Sequence, residues 1–328
     1  MRALEGSFMR PAMRLLLVVA CLCASAWGAR AQTSPAVIRI ATPGNDGNAL
    51  AYYAQDTGTF KKFGIDSHIE TLRAGSGSGV AAAVAGGSAD IGEGDIVAVA
   101  AAREHGIPLT LLAPSFQHRS TSPITALVVA KNGDIRGAKD LNGKIIAEPS
   151  LTGPAKIATV LWLRRNGADP QTVKFVEMPQ ISMAAAVTRG TVAAAATTEP
   201  NLTAALDDVQ VLGYVYDAIG SVVQVTAWFS TEAWADANPD AARRFVAALR
   251  QTAIWANDPR HHAQSGAILE RYISFPPELL AKMHRATYGE AFETALMQPL
   301  LDAALEQHSL QARAAARQML SKYALIKG

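Results

Sequence analysis

Residues 73–95 read RAGSGSGVAAAVAGGSADIGEGD, and the organisation of the whole chain can be worked out from them. A β-like run over residues 67–72 leads in. Glycines alternating with serines at 75–79 let the backbone turn sharply and leave amides and hydroxyls free at a helix start, a cradle for an anion or polar ligand. An alanine-rich helix over 80–85 stops at Gly86-Gly87. Ala89-Asp90-Ile91-Gly92 then reads as a short strand whose C-terminal end carries Glu93, Gly94 and Asp95.

Outward from this unit the pattern repeats. Residues 37–41 form a strand, 42–48 a Pro/Gly/Asn/Asp loop, 49–60 a helical run, and Gly64-Ile65-Asp66 turns into the second strand. Downstream lie a helix over 96–105 and a strand over 109–113 ended by Pro114. This alternation predicts a mainly parallel sheet covered on both faces. Ligands of such sheets sit beyond the carboxyl ends of the strands. Those ends carry Gly44-Asn45-Asp46, residues 75–78, residues 93–95 and residues 115–119.

A second, shorter α/β series follows. Residues 124–130 are β-branched and apolar, 145–147 form a strand that ends in Glu148-Pro149-Ser150-Leu151-Thr152-Gly153, and a helix covers 155–165. Strand 173–177, helix 183–189 and strand 192–196 lead to Thr197-Thr198-Glu199-Pro200. Residues 222–229 read as a strand returning to the first series, and the chain is helical from Thr231 to its end. The expected architecture is α/β with two lobes, residues 36–120 with 225–328 and residues 121–224, joined by two crossings that form a hinge. The C-terminal helices, including the apolar stripe Phe245, Ala248, Leu249 and Thr252, are expected to pack on the first lobe.

Residues 1–31 have Arg10 and Arg14, an apolar run over 15–24, and Ala29-Arg30-Ala31, the form of a secretory leader cut after Ala31. The run is about half of the ~20 residues a spanning helix needs. Cys21 follows a lipoprotein-like sequence, but the apolar stretch before it is short for that reading. Loss of the leader removes both cysteines, leaving no disulfide, thiolate nucleophile or thiolate metal site. Four arginines and one glutamate leave with it, so the formal +2 of the chain becomes −1. A near-neutral chain without a basic cluster argues against nucleic acid as partner.

Four stretches in order, Gly58-Thr59-Phe60-Lys61-Lys62-Phe63-Gly64-Ile65, Ala85-Gly86-Gly87-Ser88-Ala89-Asp90-Ile91-Gly92, Lys139-Asp140-Leu141-Asn142-Gly143-Lys144 and Thr198-Glu199-Pro200, carry a family likeness. With the leader, the chain resembles periplasmic substrate-binding proteins of ABC importers, in the branch of aliphatic-sulfonate, nitrate, taurine and thiamine-pyrimidine binding proteins. The resemblance implies a type II clamshell that traps a small molecule between its lobes and delivers it to a membrane permease.

A clamshell needs short polar loops on both lobes, which surround the ligand with directional groups on closure. Candidate ligand-binding residues are Asn45, Asp46, Ser76, Gly77, Ser78 and Asp95 from the first lobe and Ser150, Thr152, Gly153 and Glu199 from the second. Arg119, at the first crossing, offers a guanidinium fork for a carboxylate or sulfonate. Plainer roles stand beside these: Ser76, Ser78 and Asp95 as helix caps, Arg119 as a solvated loop residue. Asp46, Glu93, Asp95 and Glu199, where several face the cleft, repel a bare sulfonate or nitrate and favour N–H or cationic donors. A small polar organic solute is therefore expected.

Enzyme readings find little support. Gly77-x-Gly79-x-x-Ala82 fits a relaxed dinucleotide fingerprint but follows the second strand, where an Ala-rich helix meets the pattern easily. No G-x-S-x-G elbow and no phosphate-binding G-x-x-x-x-G-K-[ST] loop occurs, and the histidines lack metal-binding spacing. The thiamine-pyrimidine-forming relatives use a cysteine- and histidine-rich motif that the chain after residue 31 cannot supply. Neither a cofactor nor a metal is expected. An exported clamshell reporting to a membrane sensor needs the same fold and stays open as an alternative. No heptads support a coiled coil, so a monomer is expected.

Overall fold

Alternation in AVIRIATP builds β1 (Ala36–Pro43): Ile38 and Ile40 are fully buried, while Val37 and Arg39 face out. The structure, a computed structural model, describes residues 34–72 and 77–327, without the side chains of residues 77 and 78. The leader, Cys21 and Ser76 lie outside the described residues. Arg39 ties β1 to the turn ahead of the third strand, donating to Asp90 Oδ1 at 2.6 Å and to the Gly87 carbonyl at 2.8 Å. The other strands in chain order are β2 (Ile65–Leu72), β3 (Ile91–Asp95), β4 (Leu109–Pro114), β5 (Phe116–Arg119), β6 (Thr125–Ala130) and β7 (Ile145–Glu148). They continue with β8 (Lys174–Glu177), β9 (Ala194–Thr198), β10 (Val209–Gly213), β11 (Val222–Gln224), β12 (Thr226–Thr231) and β13 (Thr287–Tyr288).

Two five-stranded sheets and one three-stranded sheet result. The first has the order β2-β1-β3-β12-β4, with β12 alone running against the other four. The second has the order β10-β6-β9-β7-β8, with β6 alone reversed. Read from β8, the second sheet repeats the first: second, first and third strands of its series, then the reversed strand, then the fourth. In each sheet the reversed strand is the first one the chain enters after a crossing. Both sheets are mainly parallel for the same reason, since each helix returns the chain to a strand in the original direction.

The sequence pattern read residues 222–229 as one strand, and the structure divides it at Val225. β11 pairs antiparallel with β5, Val223 opposite His118, whereas β12 enters the first sheet between β3 and β4. The two segments that cross between the large sheets thus lie side by side. β13 adds to them on the far side of β5. This is one departure from the all-helical C-terminal region expected from the sequence. The other comes after Glu306, where the described chain forms no further α-helix, only the 3-10 turn Ala316–Met319.

The main core runs from the first sheet past the three-stranded sheet to one face of the second sheet. Phe60, Phe245 and Trp228 are stacked or edge-packed under the first sheet, and Ile146, Ile157 and Leu163 continue the core beneath the second. A smaller cluster, with Ala126, Val128, Ala195 and Met183, fills the second sheet's other face. Close approach explains two glycines. A Cβ on Gly92 would lie 2.6 Å from Val80 and 2.8 Å from Val84 of the helix Gly77–Ala85, and one on Gly213 would lie 2.4 Å from the Trp162 ring. Among the described residues, no helix is long and apolar enough to cross a membrane.

Candidate functional site

Because β12 and β6 are the reversed strands, the carboxyl ends of β1, β3 and β4 meet the start of β12, and those of β7 and β9 meet the start of β6. The side chains there decide what the molecule can hold. Asp46 follows β1 and is fully buried. It accepts from Arg285 Nη2 at 2.9 Å, Tyr53 Oη at 2.9 Å and the Ala286 amide at 2.6 Å, while Tyr288 donates to its carbonyl. Burial lowers the Arg285 pKa, but the Asp46 charge outweighs it and the net shift is upward. Asp46 therefore locks the loop after β1 to residues 285–288, with its carboxylate turned to internal partners. Asn45 beside it is half-buried and makes no side-chain cap to the turn Asp46–Asn48.

Gly77 and Ser78 open the helix Gly77–Ala85. Asp95 ends β3 and caps the next helix, Ile96–Glu104, its Oδ1 accepting from the Ala98 amide at 2.7 Å. Burial pushes its carboxyl up to about 6 against the pull of the Ala98 and Val97 amides. Arg119 is exposed on β5 and donates to Gln117 Oε1 at 2.7 Å. In the second sheet Ser150 Oγ accepts from the Thr152 amide at 3.4 Å, Thr152 is exposed, and Gly153 is the buried N-cap of the helix Pro154–Arg165. Glu199 is buried and accepts from the Thr203 amide at 3.0 Å and its hydroxyl at 2.8 Å. It also borders a cavity of about 510 Å³ with Thr203, Tyr214, Leu279, Lys282 and His284.

The structure brings forward two carboxyls that the sequence left aside as site residues. Glu93 lies within β3, opposite Trp228, rather than at the strand end, and is fully buried. Neither of its oxygens has a hydrogen-bond partner among the described residues. Burial pushes it up to about 8; the hydroxyls of Thr226 and Ser115 lie near enough to moderate the shift but not in bonding geometry, and the Asp95 charge adds to it. Glu148, the last residue of β7, is the counterpart in the second sheet. It too is fully buried with both oxygens unpartnered among the described residues, and burial pushes it up to about 8 against Thr159 and Lys156. The Thr159 hydroxyl is spent on the Ala155 carbonyl at 2.9 Å.

Tyr216 senses a carboxyl from each sheet, Asp95 and Glu148. It is buried in the turn Val215–Ala218, which packs on the helix Pro154–Arg165, and its pKa is raised by burial and then by the charges of Asp95 and Glu148 together. Its ring lies 5.4 Å from that of His118, the β5 residue whose Nε2 meets Asp217 Oδ1 at 2.8 Å. Asp95 faces Thr226 at the point where β11 gives way to β12. Glu93, two residues away on one strand, shares its face. A buried carboxyl without a donor is costly, so the group stays protonated near neutral pH or waits for a donor. The signals were present: an acid between glycines in IGEGD, and one ending the apolar run IIAE.

Ser120 Oγ donates to Asp217 Oδ1 at 2.6 Å and does not meet the His118 imidazole, so no nucleophile–base pair forms. No group of His, Cys, Asp and Glu among the described residues could hold a metal ion.

The NMT1/THI5-like family profile matches residues 45–261, which include both crossings and the whole second sheet. The chain belongs to the NMT1/THI5-like family. Among curated proteins no sequence matches it. Solved structures share the NMT1/THI5-like chain's fold at low identity. The periplasmic aliphatic sulphonate binding protein SsuA from Escherichia coli is 19% identical with a TM-score of 0.72, over 88% of this chain and 98% of that one. The periplasmic nitrate-binding protein NrtA from Synechocystis PCC 6803 is 14% identical with a TM-score of 0.74, over 88% and 86%. The desulfurization enzyme DSZB is 12% identical with a TM-score of 0.65, over 88% and 97%. The fold of this NMT1/THI5-like protein is thus that of periplasmic binding proteins, and it also serves an enzyme.

Proposed function

We propose that the protein is an extracytoplasmic solute-binding protein. Two lobes, residues 36–120 with 225–328 and residues 121–224, close over one small polar organic molecule, and the loaded form delivers it to an ABC-type permease in the inner membrane. The observation that carries this reading is the repetition of one strand order in two sheets, with buried carboxyls at the ends of both and paired crossings between them. Paired short crossings bend more readily than a packed interface shears, and a hinge of that kind suits capture by closure. SsuA and NrtA, both periplasmic binding proteins, support the reading through the shared fold.

In this reading residues 1–31 are an export leader cleaved after Ala31, and the chain acts as a monomer in the periplasm. Asn45, Gly77, Ser78, Arg119, Ser150, Thr152 and Gly153 line the ligand's approach in this reading, and Ser76, outside the described residues, is assigned to the same site from the sequence alone. Asp95 and Glu199 are both architectural and close to the ligand. The role is capture without turnover.

A thermal-shift screen of the exported protein against alkyl sulfonates, nitrate, aromatic carboxylates, pyrimidines and amines tests this. A ligand at about 100 times its Kd adds ~2.7 kcal/mol, a rise of several degrees, and is recovered chemically unchanged. A ligand that raises the melting temperature and comes back altered would overturn the non-catalytic reading.

A further inference from the structure

The cavity of about 510 Å³ beside Glu199 is walled mainly by two segments far apart in the chain. One, residues 199–214, runs from the end of β9 through β10; the other, residues 276–284, lies ahead of β13. Asn45, Asp95, Arg119, Ser150, Thr152 and Gly153 are not among the lining residues. β10 is the edge strand of the second sheet, three places from β7 and so roughly 14 Å away at the usual strand spacing. The volume falls in the range of ~300–1,000 Å³ in which organic molecules are held, and a nitrate ion would leave most of it open.

The walls combine apolar surface with charges of both signs. Leu202 from the helix Asn201–Ala205, Val211 from β10 and Leu279 from the helix Pro277–Leu280 supply the apolar part. Glu199, only 1% exposed, is held by Thr203 through one bond to each oxygen, at 2.8 and 3.0 Å. A carboxylate accepts about four hydrogen bonds, so each Glu199 oxygen keeps a lone pair for a further N–H donor. Asp207 and Glu278, exposed at the same cavity, have no side-chain partner among the described residues. The Lys282 ammonium likewise makes no hydrogen bond or ion pair there.

We propose that this cavity is a second small-molecule site, apart from capture between the sheets, and that it takes an amino acid with an apolar side chain. The ammonium group donates to Glu199, the carboxylate meets Lys282, and the side chain lies on Leu202, Val211 and Leu279. A bare anion would meet three acids for one lysine, and a simple amine would leave Lys282 without a counter-charge. A zwitterion answers both, and its apolar body covers the walls between them. Such an occupant touches both segments and so bridges the second sheet's edge strand to the stretch that leads into β13. The proposal stands whether or not the capture reading holds.

The test is isothermal titration of the exported protein with L-leucine and L-phenylalanine, and with hexanoate, hexylamine and nitrate, which each keep only part of the pattern. Expected is binding of at least one amino acid, with the three partial probes weaker by about tenfold or more, because each lacks a charge-assisted bond. Lys282→Gln, an exposed change that leaves the core intact, and Glu199→Gln are each expected to weaken amino-acid binding by about tenfold. Glu270→Gln, exposed on the helix His262–Tyr272, stays within about twofold of the parent. Silence from both amino acids overturns the assignment, and so does any partial probe that binds as tightly as they do. Amino-acid binding unchanged in either Lys282→Gln or Glu199→Gln places the ligand elsewhere and overturns the site. None of these outcomes bears on capture between the sheets, which the thermal-shift screen reads separately.

Discussion

Asp46 and Arg285, 239 positions apart in the chain, meet in a buried ion pair with Oδ1 and Nη2 at 2.9 Å. The pair fastens the loop after β1 to the segment that runs into β13, and β13 is part of the three-stranded sheet β11-β5-β13. Removing one partner leaves the other charged and buried. Arg285→Ala is therefore expected to destabilise the protein by about 3–5 kcal/mol in denaturant unfolding. A loss under 1 kcal/mol would mean that the pair is open to water.

Burial of Glu93 and Glu148 predicts a pH dependence of the ligand-free protein. Both carboxyls are raised to about 8, and Asp95 to about 6, so the folded state keeps protons that the unfolded chain gives up near the usual carboxyl pKa of about 4.5. Their contribution is complete at low pH and is lost as pH rises through 8. Of the groups facing them, burial raises Tyr52 and Tyr216, which stay neutral over this range, and lowers Lys156. Unfolding free energy should fall between pH 6 and 9 by a few kcal/mol in total, and Glu93→Gln or Glu148→Gln should each flatten the slope. A flat profile in the parent protein would contradict the burial of these groups.

The same reasoning gives an unusual stability effect. Glu148→Met replaces an unpartnered carboxyl with an apolar chain of similar size, so the ligand-free variant should be more stable than the parent at pH 8, by on the order of 1–3 kcal/mol. Equilibrium denaturation of both at that pH decides it. Lower stability would mean that Glu148 has a donor in the folded protein.

Gly92 is expected to tolerate no side chain. With Val80, Val84 and Phe229 all within 3 Å of where a Cβ would stand, Gly92→Ala must push the helix Gly77–Ala85 off β3, costing about 1–3 kcal/mol. Thermal unfolding checks this, and an unchanged midpoint would show that the helix moves freely.

Much of the fold was legible in the sequence because strand and helix periods differ and each βα unit carries its own turn residues. Gly86-Gly87 and Gly143 stand at turns as read. What could not be read was pairing between distant segments. Nothing local in residues 222–229 says that Val225 is where the strand changes sheets, since the division is made by β5 on one side and β3 on the other. The site follows the same rule. Loop residues such as Ser150 and Thr152 announce polarity locally, whereas Glu93 and Glu148 become notable only when tertiary packing removes water from them. Asp46 shows the reverse: a loop acid that looked free for a ligand is engaged by an arginine that no local pattern linked to it.

The most direct test of capture between the two sheets is hydrogen exchange with and without the ligand found in the screen. The account predicts slower exchange in three separate segments at once, residues 93–98 of the first sheet, 148–157 of the second, and the turn Val215–Ala218 between them. Slowing confined to one sheet, or to the rim of the cavity beside Glu199 alone, would contradict it.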